Sequence, residues 1–351
     1  MSKRMHHTEG KKSHTAARIA AGVGLGLGAA ALAVGAAYTE IMTSVVSRRR
    51  TPATDAILTI ATGHAEPPLD PTIAQLSEAL RETPMETVAI RSKDDYVLRA
   101  HWYPAENPRR TVILVHGWHS CWYVDFSASA PFLHDNGCNL LLIEQRSHGE
   151  SGGDLISYGI TERYDVLSWI EWVEQNHGGL PLYLCGISMG AATVLMTAGL
   201  PLAGRVQGIL ADCGYSTPRE IVSLTLKKNI GGLAGPTLAA IDLNCKLREG
   251  FTLKDYTPIE AMTANKEIPC LFVHGDADSI VPWRMSLENY YACQAPKELL
   301  IIHGAGHGLS FLVEPDRYKQ KVLDFFATYD PTYIPPAKPK KHLFGRRKAN
   351  A

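Results

Sequence analysis

Short apolar runs alternate with longer segments of helical spacing from residue 86 to about residue 329. Runs of this length predict strands, and the longer segments predict helices. The predicted strands are 87–91, 97–102, 111–115, 140–144, 182–185, 208–211, 270–273 and 298–302. The predicted helices are 128–136, 162–176, 191–198, 287–292 and 316–328. This alternation predicts an α/β fold with a mainly parallel central sheet that helices cover on both faces.

The pattern predicts one catalytic domain, residues 86–335, which is called the body below. Within it, residues 215–266 form an insertion too long for one crossover, with predicted helices at 218–228 and 237–247 around a glycine-rich stretch, 231–236, expected to be flexible. We expect this insertion to be a small helical lid. Residues 51–85 are expected to be a helical connector, and the basic tail, 336–351, to be disordered.

The N-terminal region carries an uncharged run of 20 residues, 19–38, which is long enough to span a bilayer as a helix. We assign a transmembrane anchor to 19–46 and a basic cytoplasmic leader to 1–18. Five basic residues precede the run and three follow it, so the positive-inside rule places the body outside the cytoplasm, with the membrane as a partner through this helix. A cleaved signal peptide is the alternative, because small residues around 33–37 offer a cleavage site.

The formal net charge is zero, but the charges are segregated. Fourteen of the 35 basic residues lie in the leader, at 48–50 and in the tail, whereas only Glu9 and Glu40 of the 35 acidic residues lie outside residues 51–335. The connector and the body together, residues 51–335, therefore have 21 basic and 33 acidic residues, a net charge near −12 that disfavours nucleic acid as a partner. The seven cysteines have no spacing typical of a disulfide framework, which fits a reduced interior better than the expected exterior location.

Two Gly-x-Ser-x-Gly pentapeptides follow apolar strands, one centred on Ser151 and one on Ser188. Ser151 is followed by Gly152, Gly153 and an aspartate, which are loop residues, whereas strong helix formers follow Ser188. A strand that turns sharply into a helix at such a serine is a nucleophile elbow, which exposes the hydroxyl. We therefore predict Ser188 as a nucleophile; the alternative is a buried structural serine in a tight turn.

A serine nucleophile needs a base, an orienting carboxylate and donors for the oxyanion. A later strand is followed by His307, which is the predicted base, and another strand precedes Asp276 and Asp278. The strand at 111–115 ends in a His-Gly-Trp turn, where the amide of Trp118 can face a carbonyl oxygen, with the Met189 amide as the second donor. The oxyanion hole is therefore predicted to consist of Trp118 and Met189.

Residues 86–329 resemble the α/β-hydrolase family through four motifs in the order of that family. These are the His116-Gly117 turn, the stretch Arg146-Ser147-His148-Gly149-Glu150-Ser151, the elbow at Ser188, and His274 to Pro282 together with Gly306-His307. The chain looks most similar to bacterial membrane-anchored hydrolases of the serine aminopeptidase-like and esterase-like groups. In the resembling pattern the acid stands four residues after the histidine of His-Gly, which favours Asp278 over Asp276 as the partner of His307. Asp276 is expected to cap the turn instead.

The resemblance implies a serine hydrolase that cleaves a carboxylic ester through an acyl-enzyme on Ser188; an amide, peptide or thioester bond is the alternative. A non-catalytic binding protein of the same fold is the alternative from another class. The aromatic side chains of Trp122, Tyr123 and Tyr215 are expected to bind a small or lipid-like acyl substrate, unless they only pack the lid against the body. The motifs of metal, nucleotide and dinucleotide sites are absent from the sequence, so no metal and no cofactor are expected.

Overall fold

The structure is a computed structural model that describes residues 70–202 and 204–330. The predicted leader at 1–18, the anchor at 19–46 and the basic tail at 336–351 lie outside these ranges. Among residues 70–202 and 204–330, no helix combines the length and the apolar character that a membrane crossing requires.

Eight strands form one sheet in the order β1-β2-β4-β3-β5-β6-β7-β8. Their bounds are β1 Glu86–Arg91, β2 Val97–Tyr103, β3 Arg110–Val115, β4 Cys138–Glu144, β5 Leu182–Ile187, β6 Gly208–Asp212, β7 Cys270–Gly275 and β8 Lys297–Ile302. The first two strands run antiparallel to their neighbours, and the pairs from β4 to β8 are parallel. The predicted α/β fold with a mainly parallel sheet is confirmed.

The side chains of the central strands point alternately to two hydrophobic cores. In β3, Ile113 and Val115 pack on one face, while Val112 and Leu114 pack on the other. Because successive side chains of a strand face opposite sides of a sheet, continuous apolar runs such as this one are typical of strands buried on both faces. The carboxyl ends of β5, β7 and β8 consequently share one edge of the sheet, where the loops after them can meet.

Helices cover both faces of the sheet. Their bounds are α1 Pro71–Glu82, α2 Trp122–Asp125, α3 Ser129–Asp135, α4 Glu162–His177, α5 Met189–Thr197, α6 Pro218–Ile230, α7 Ala234–Glu249, α8 Pro258–Ala264, α9 Arg284–Ala292, α10 Ser310–Val313 and α11 Pro315–Tyr329. α4, α5 and α8 contribute to one core, and α1, α2, α3 and α11 contribute to the other. The short helices α2, α8 and α10 were not predicted from the sequence pattern.

The insertion at 215–266 is more regular than its sequence suggested. The stretch expected to be flexible contains a 3₁₀ turn, Gly231–Leu233, and α7 begins directly at Ala234. Pro236 fits there because the first turn of a helix does not need its missing amide hydrogen. The unpredicted α8 begins like α6, with a threonine N-cap and a proline at the first position, as at Thr257 and Pro258.

Candidate active site

Ser188 lies at a sharp bend between β5 and α5. Its φ of 56° is in the left-handed region, and its amide donates to the Asp212 carbonyl at 2.9 Å. A Cβ at Gly190 would lie 1.8 Å from the Val115 carbonyl oxygen, and a Cβ at Gly186 would lie 2.3 Å from the Gly190 carbonyl carbon. Both positions therefore require glycine, because α5 passes so close to the strands that no side chain fits.

Three side chains that are far apart in the sequence form a hydrogen-bonded chain at this bend. The Ser188 hydroxyl donates to Nε2 of His307 at 2.9 Å, and Nδ1–H of His307 donates to Oδ2 of Asp278 at 2.6 Å. Asp278 follows β7, and His307 follows β8. The structure thus brings together the predicted nucleophile, base and orienting carboxylate at the carboxyl edge of the sheet. This geometry allows the imidazole to accept a proton from the serine while the carboxylate fixes its tautomer.

The two competing aspartates have different neighbours. Oδ1 of Asp278 accepts from the amides of Ile280 and Val281, at 2.8 and 2.9 Å, while its Oδ2 faces His307. The carboxylate of Asp276 instead accepts from Nδ1 of His303 and from the Gly304 amide, each at 2.7 Å. Asp276 thus caps a turn, and only Asp278 reaches the imidazole of His307.

His274 is a further partner of Asp278, which its position before a glycine did not reveal. Its Nε2–H faces both Oδ2 of Asp278, at 3.2 Å, and the Val281 carbonyl, at 2.9 Å. Its Nδ1 lies 2.6 Å from the Ser286 hydroxyl oxygen. The contact with Asp278 depends on the loop that follows β7, so a local sequence pattern does not indicate it.

The electrostatics of the site favour an ionised Asp278. Burial alone would raise the pKa of this carboxyl, but the hydrogen bonds from His274 and His307 outweigh burial and hold the pKa well below its usual range. Burial opposes the charge on His307, yet its polar neighbours, among them Asp278, raise the pKa of the ring above its ordinary value. The side chain of Asp278 is fully buried and that of His307 is 20% exposed, so the carboxylate orients the ring while the ring faces the cavity.

Of the predicted oxyanion donors, Met189 directly follows Ser188, and Trp118 lines the same cavity as Ser188. Met189 is the first residue of α5, where an amide has no acceptor within the helix. Trp118 follows the His116-Gly117 turn. His116 is buried, burial lowers its pKa to about 3, and its neutral ring donates from Nδ1 to the Gly117 carbonyl at 2.8 Å while Nε2 accepts from the Gln145 amide at 3.1 Å.

A cavity of about 400 Å³ opens beside Ser188 and His307. Apolar side chains contribute much of its lining, together with two carboxyl groups, Asp125 and Asp212. The apolar and aromatic side chains that line it are Ile73, Trp118, Val124, Ala128, Ile187, Ile280, Leu309, Phe311, Leu312 and Tyr318. Among residues 70–202 and 204–330, no lysine or arginine lines the cavity. It therefore suits a small, mainly apolar group placed next to the serine hydroxyl.

The aromatic residues predicted to bind substrate do not line this cavity. Trp122 is buried in the core against His101, with ring centroids 4.3 Å apart, and Tyr123 packs beside Trp122. The Tyr215 hydroxyl donates to the Tyr158 carbonyl at 2.8 Å beneath the insertion. The prediction for these three residues is wrong for this cavity, because Trp122 and Tyr215 are buried in the core and Tyr123 packs beside Trp122.

The insertion at 215–266 likewise contributes no lining residue to this cavity. It packs on a separate hydrophobic cluster together with the loop at 155–160, and Trp118 lies between that cluster and the cavity. Ile73 of α1 and residues of the loop that follows His307 are among the lining residues of the cavity.

Within the part of the chain that the structure describes, one group of side chains has atoms spaced as for a metal. The ligand-type atoms of Cys213, Asp278 and His307 lie within 4.8 Å of one another. Asp278 and His307 already share a hydrogen bond, so a cation bound there would displace the proton that links them. Burial raises the pKa of the Cys213 thiol, which keeps this sulfur protonated and a weak ligand.

Comparisons with known proteins agree with this geometry. The family model described as serine aminopeptidase, S33, matches residues 106–233, a range that includes Ser188. The uncharacterized protein YqkD of Bacillus subtilis is 27% identical over 253 residues, which cover 71% of this chain and 81% of YqkD. Human monoglyceride lipase is 27% identical over 116 residues, 31% of this chain and 36% of the lipase.

Among solved structures, the esterase Pf2001 of Pyrococcus furiosus superposes with a TM-score of 0.58 at 21% identity, covering 75% of this chain and 95% of the esterase. The strand order and this superposition show that the chain has the α/β-hydrolase fold. Its residues 106–233 are similar to the serine aminopeptidase, S33, family.

Proposed function

We propose that this protein is a serine hydrolase that cleaves a carboxylic ester through an acyl-enzyme on Ser188. The observation that carries the proposal is the hydrogen-bonded chain from Ser188 through His307 to Asp278, which opens onto a cavity of about 400 Å³. A serine hydroxyl is a weak nucleophile at neutral pH, and a base at 2.9 Å from its oxygen is what makes it reactive.

In the proposed reaction, Oγ of Ser188 attacks the acyl carbonyl and His307 takes the hydroxyl proton at Nε2. The carbonyl oxygen becomes an oxyanion that the amides of Trp118 and Met189 stabilise. Collapse of this intermediate breaks the bond to the alkoxy group, which leaves with the proton from His307. Water then attacks the acyl-enzyme with His307 as the base again and releases the carboxylic acid. Asp278 stays ionised throughout and holds the Nδ1–H tautomer of His307.

The cavity supports a short, uncharged acyl group as the substrate. Its apolar lining contacts hydrocarbon well, and two acidic side chains without a basic partner disfavour a carboxylate on the acyl chain. The similarity to an esterase and to a lipase favours an ester; the match to a serine aminopeptidase model makes cleavage of an amide bond the second candidate. We further propose that the uncharged run at 19–38 anchors the protein in the membrane with the hydrolase outside the cytoplasm.

The test uses the full chain with p-nitrophenyl esters from acetyl to dodecanoyl and with aminoacyl p-nitroanilides. We expect turnover of the shorter esters, and Ser188→Ala should lower kcat by about 10³-fold or more. A fluorophosphonate probe should label the wild type and not Ser188→Ala. Labelling that survives in Ser188→Ala would refute the assignment of Ser188 as the nucleophile. Faster turnover of the anilides than of the esters would show that the activity is that of an amidase and not of an esterase.

A further inference from the structure

The loop between β3 and α2 carries the Trp118 amide, and a carboxylate that sequence reasoning did not single out holds this loop. Oδ2 of Asp125 accepts from the Gly117 amide at 2.6 Å, and its Oδ1 accepts from the Ser120 hydroxyl at 2.5 Å. Asp125 also lines the cavity beside Ser188. Both of its oxygens thus bind the two residues that flank the Trp118-His119 segment.

Asp125 can act as a fixed point because α2 is itself anchored in the core. The amide of Asp125 donates to the Cys121 carbonyl at 3.1 Å, and the adjacent Trp122 and Phe126 are buried. Burial raises the pKa of the Asp125 carboxyl, and the hydrogen bonds from Ser120 and Gly117 counteract that rise. The carboxylate is therefore held in its position by the same donors that it orients.

The contacts around Trp118 determine the direction of its amide. The Gly117 carbonyl belongs to the same peptide unit as the Trp118 amide, and it accepts from Nδ1 of His116 at 2.8 Å. In a planar trans peptide the carbonyl and the amide hydrogen point in opposite directions, so a fixed carbonyl fixes the amide. On the other side, the His119 amide donates to Nε2 of His148 at 3.0 Å.

We infer that Asp125 is a positioning residue that aims the Trp118 amide at the oxyanion through its bonds to Gly117 and Ser120. The inference rests on the proposed serine hydrolase function. Asp125 does not need to touch the reacting atoms for this role. Its loss would remove two bonds that hold the loop, so that the Gly117-Trp118 peptide and its donor would shift away from the charge that develops on the carbonyl oxygen in the transition state. Ground-state binding of the substrate in the cavity depends much less on this amide.

The experiment compares Asp125→Ala with Asp125→Asn in the full chain, using the best p-nitrophenyl ester. Asp125→Ala should lower kcat by about 10- to 100-fold and change KM by less than about twofold, because the interaction is made mainly in the transition state. The affinity for a trifluoromethyl ketone, whose adduct with Ser188 carries an oxyanion, should fall by the same factor as kcat/KM. Asp125→Asn should retain most activity, since its amide oxygen can accept from Gly117 and its NH₂ group can donate to the Ser120 oxygen.

Asp135→Asn is the matched control, because Asp135 is exposed at the end of α3 and outside the site. A wild type without turnover and without labelling at Ser188 would refute the proposed function. If the wild type is active and Asp125→Ala has the same kcat and the same affinity for the ketone, the positioning role of Asp125 is refuted and the proposed function is not. If Asp125→Ala does not fold, Ser120→Ala removes only the donor to Oδ1: a several-fold lower kcat at unchanged melting temperature supports the role, and an unchanged kcat contradicts it.

Discussion

The two Gly-x-Ser-x-Gly pentapeptides match the same sequence pattern and have different structural roles. Ser188 takes a left-handed backbone at the end of β5 and points its hydroxyl to His307. Ser151 is fully buried; its hydroxyl donates to the Glu144 carbonyl at 2.6 Å and accepts from the Arg99 amide at 2.8 Å. The second serine thus bridges β2 and β4 as part of the backbone hydrogen-bond network. The comparison shows that a nucleophile elbow depends on the packing around its glycines and not on the Gly-x-Ser-x-Gly pattern alone.

The glycines show the difference most directly. At the elbow, Gly186 and Gly190 leave room for α5 to touch β3 and β5, as their close backbone contacts demand. In the other pentapeptide, Gly149 has a φ of 50° and a Cβ there would lie 2.3 Å from a Glu144 carboxylate oxygen, so it serves a tight turn that returns to β4. Gly186 and Gly190 thus allow a helix to begin directly after the strand, whereas Gly149 allows a tight turn in a loop.

The largest expected effect on kcat distinguishes the two competing aspartates, Asp278 and Asp276. Asp278→Asn should lower kcat by about 10³- to 10⁴-fold, since an amide in place of the carboxylate favours the wrong tautomer of His307. Asp276→Asn should leave kcat nearly unchanged, because Asp276 binds the exposed His303 and the Gly304 amide and not His307. Steady-state kinetics of both variants measure this. A greater loss in Asp276→Asn would show that the acid had been misassigned.

The next effect concerns the glycines. Gly190→Ala should destabilise the fold by about 3 kcal/mol or more, because its Cβ would overlap the Val115 carbonyl. The matched variant Gly152→Ala should cost less than about 1 kcal/mol, since its nearest contact would be the Tyr96 Cβ at 3.2 Å. Urea unfolding of both variants measures the difference. Equal stability of the two would mean that α5 can move away from β3 without cost.

The last pair of substitutions tests the two serines, for which we expect smaller changes in stability than for Gly190→Ala. Ser151→Ala should lower the free energy of unfolding by about 1–3 kcal/mol and keep activity, because the Arg99 amide loses the acceptor that the buried Ser151 hydroxyl provides. Ser188→Ala should abolish activity at little or no cost in stability, since a strained site residue is seldom optimised for folding. Thermal melts alongside ester assays of both variants provide the measurement. Loss of activity in Ser151→Ala at unchanged stability would reverse the interpretation of the two motifs.

The order of the elements and the edge of the sheet that bears Ser188, Asp278 and His307 were predictable from the sequence. Apolar runs of strand length, helix formers after Ser188 and the His-Gly turns are local signals, because a strand or an N-cap depends on residues a few positions apart. Even the helix α8, which was missed, had such a signal in Thr257 and Pro258. The predictions that rested on local patterns were therefore close to the observed bounds.

The direction of side chains in loops was not predictable in this way. Trp122, Tyr123 and Tyr215 follow the expected strands, yet packing keeps them away from the cavity. The cavity is lined instead by Ile73 of α1, by other residues of the segment 117–129 and by the segment that follows His307, among others. The partners of Asp278 and Asp125 also come from loops that meet only after folding. The sequence by itself determined which residues could react and which elements carry them. Only the tertiary structure decided which of them touch. Ser188 and His307 are 119 positions apart in the sequence, and Asp278 and His307 are 29 positions apart, so their hydrogen bonds of 2.9 and 2.6 Å depend on the packing of the whole sheet.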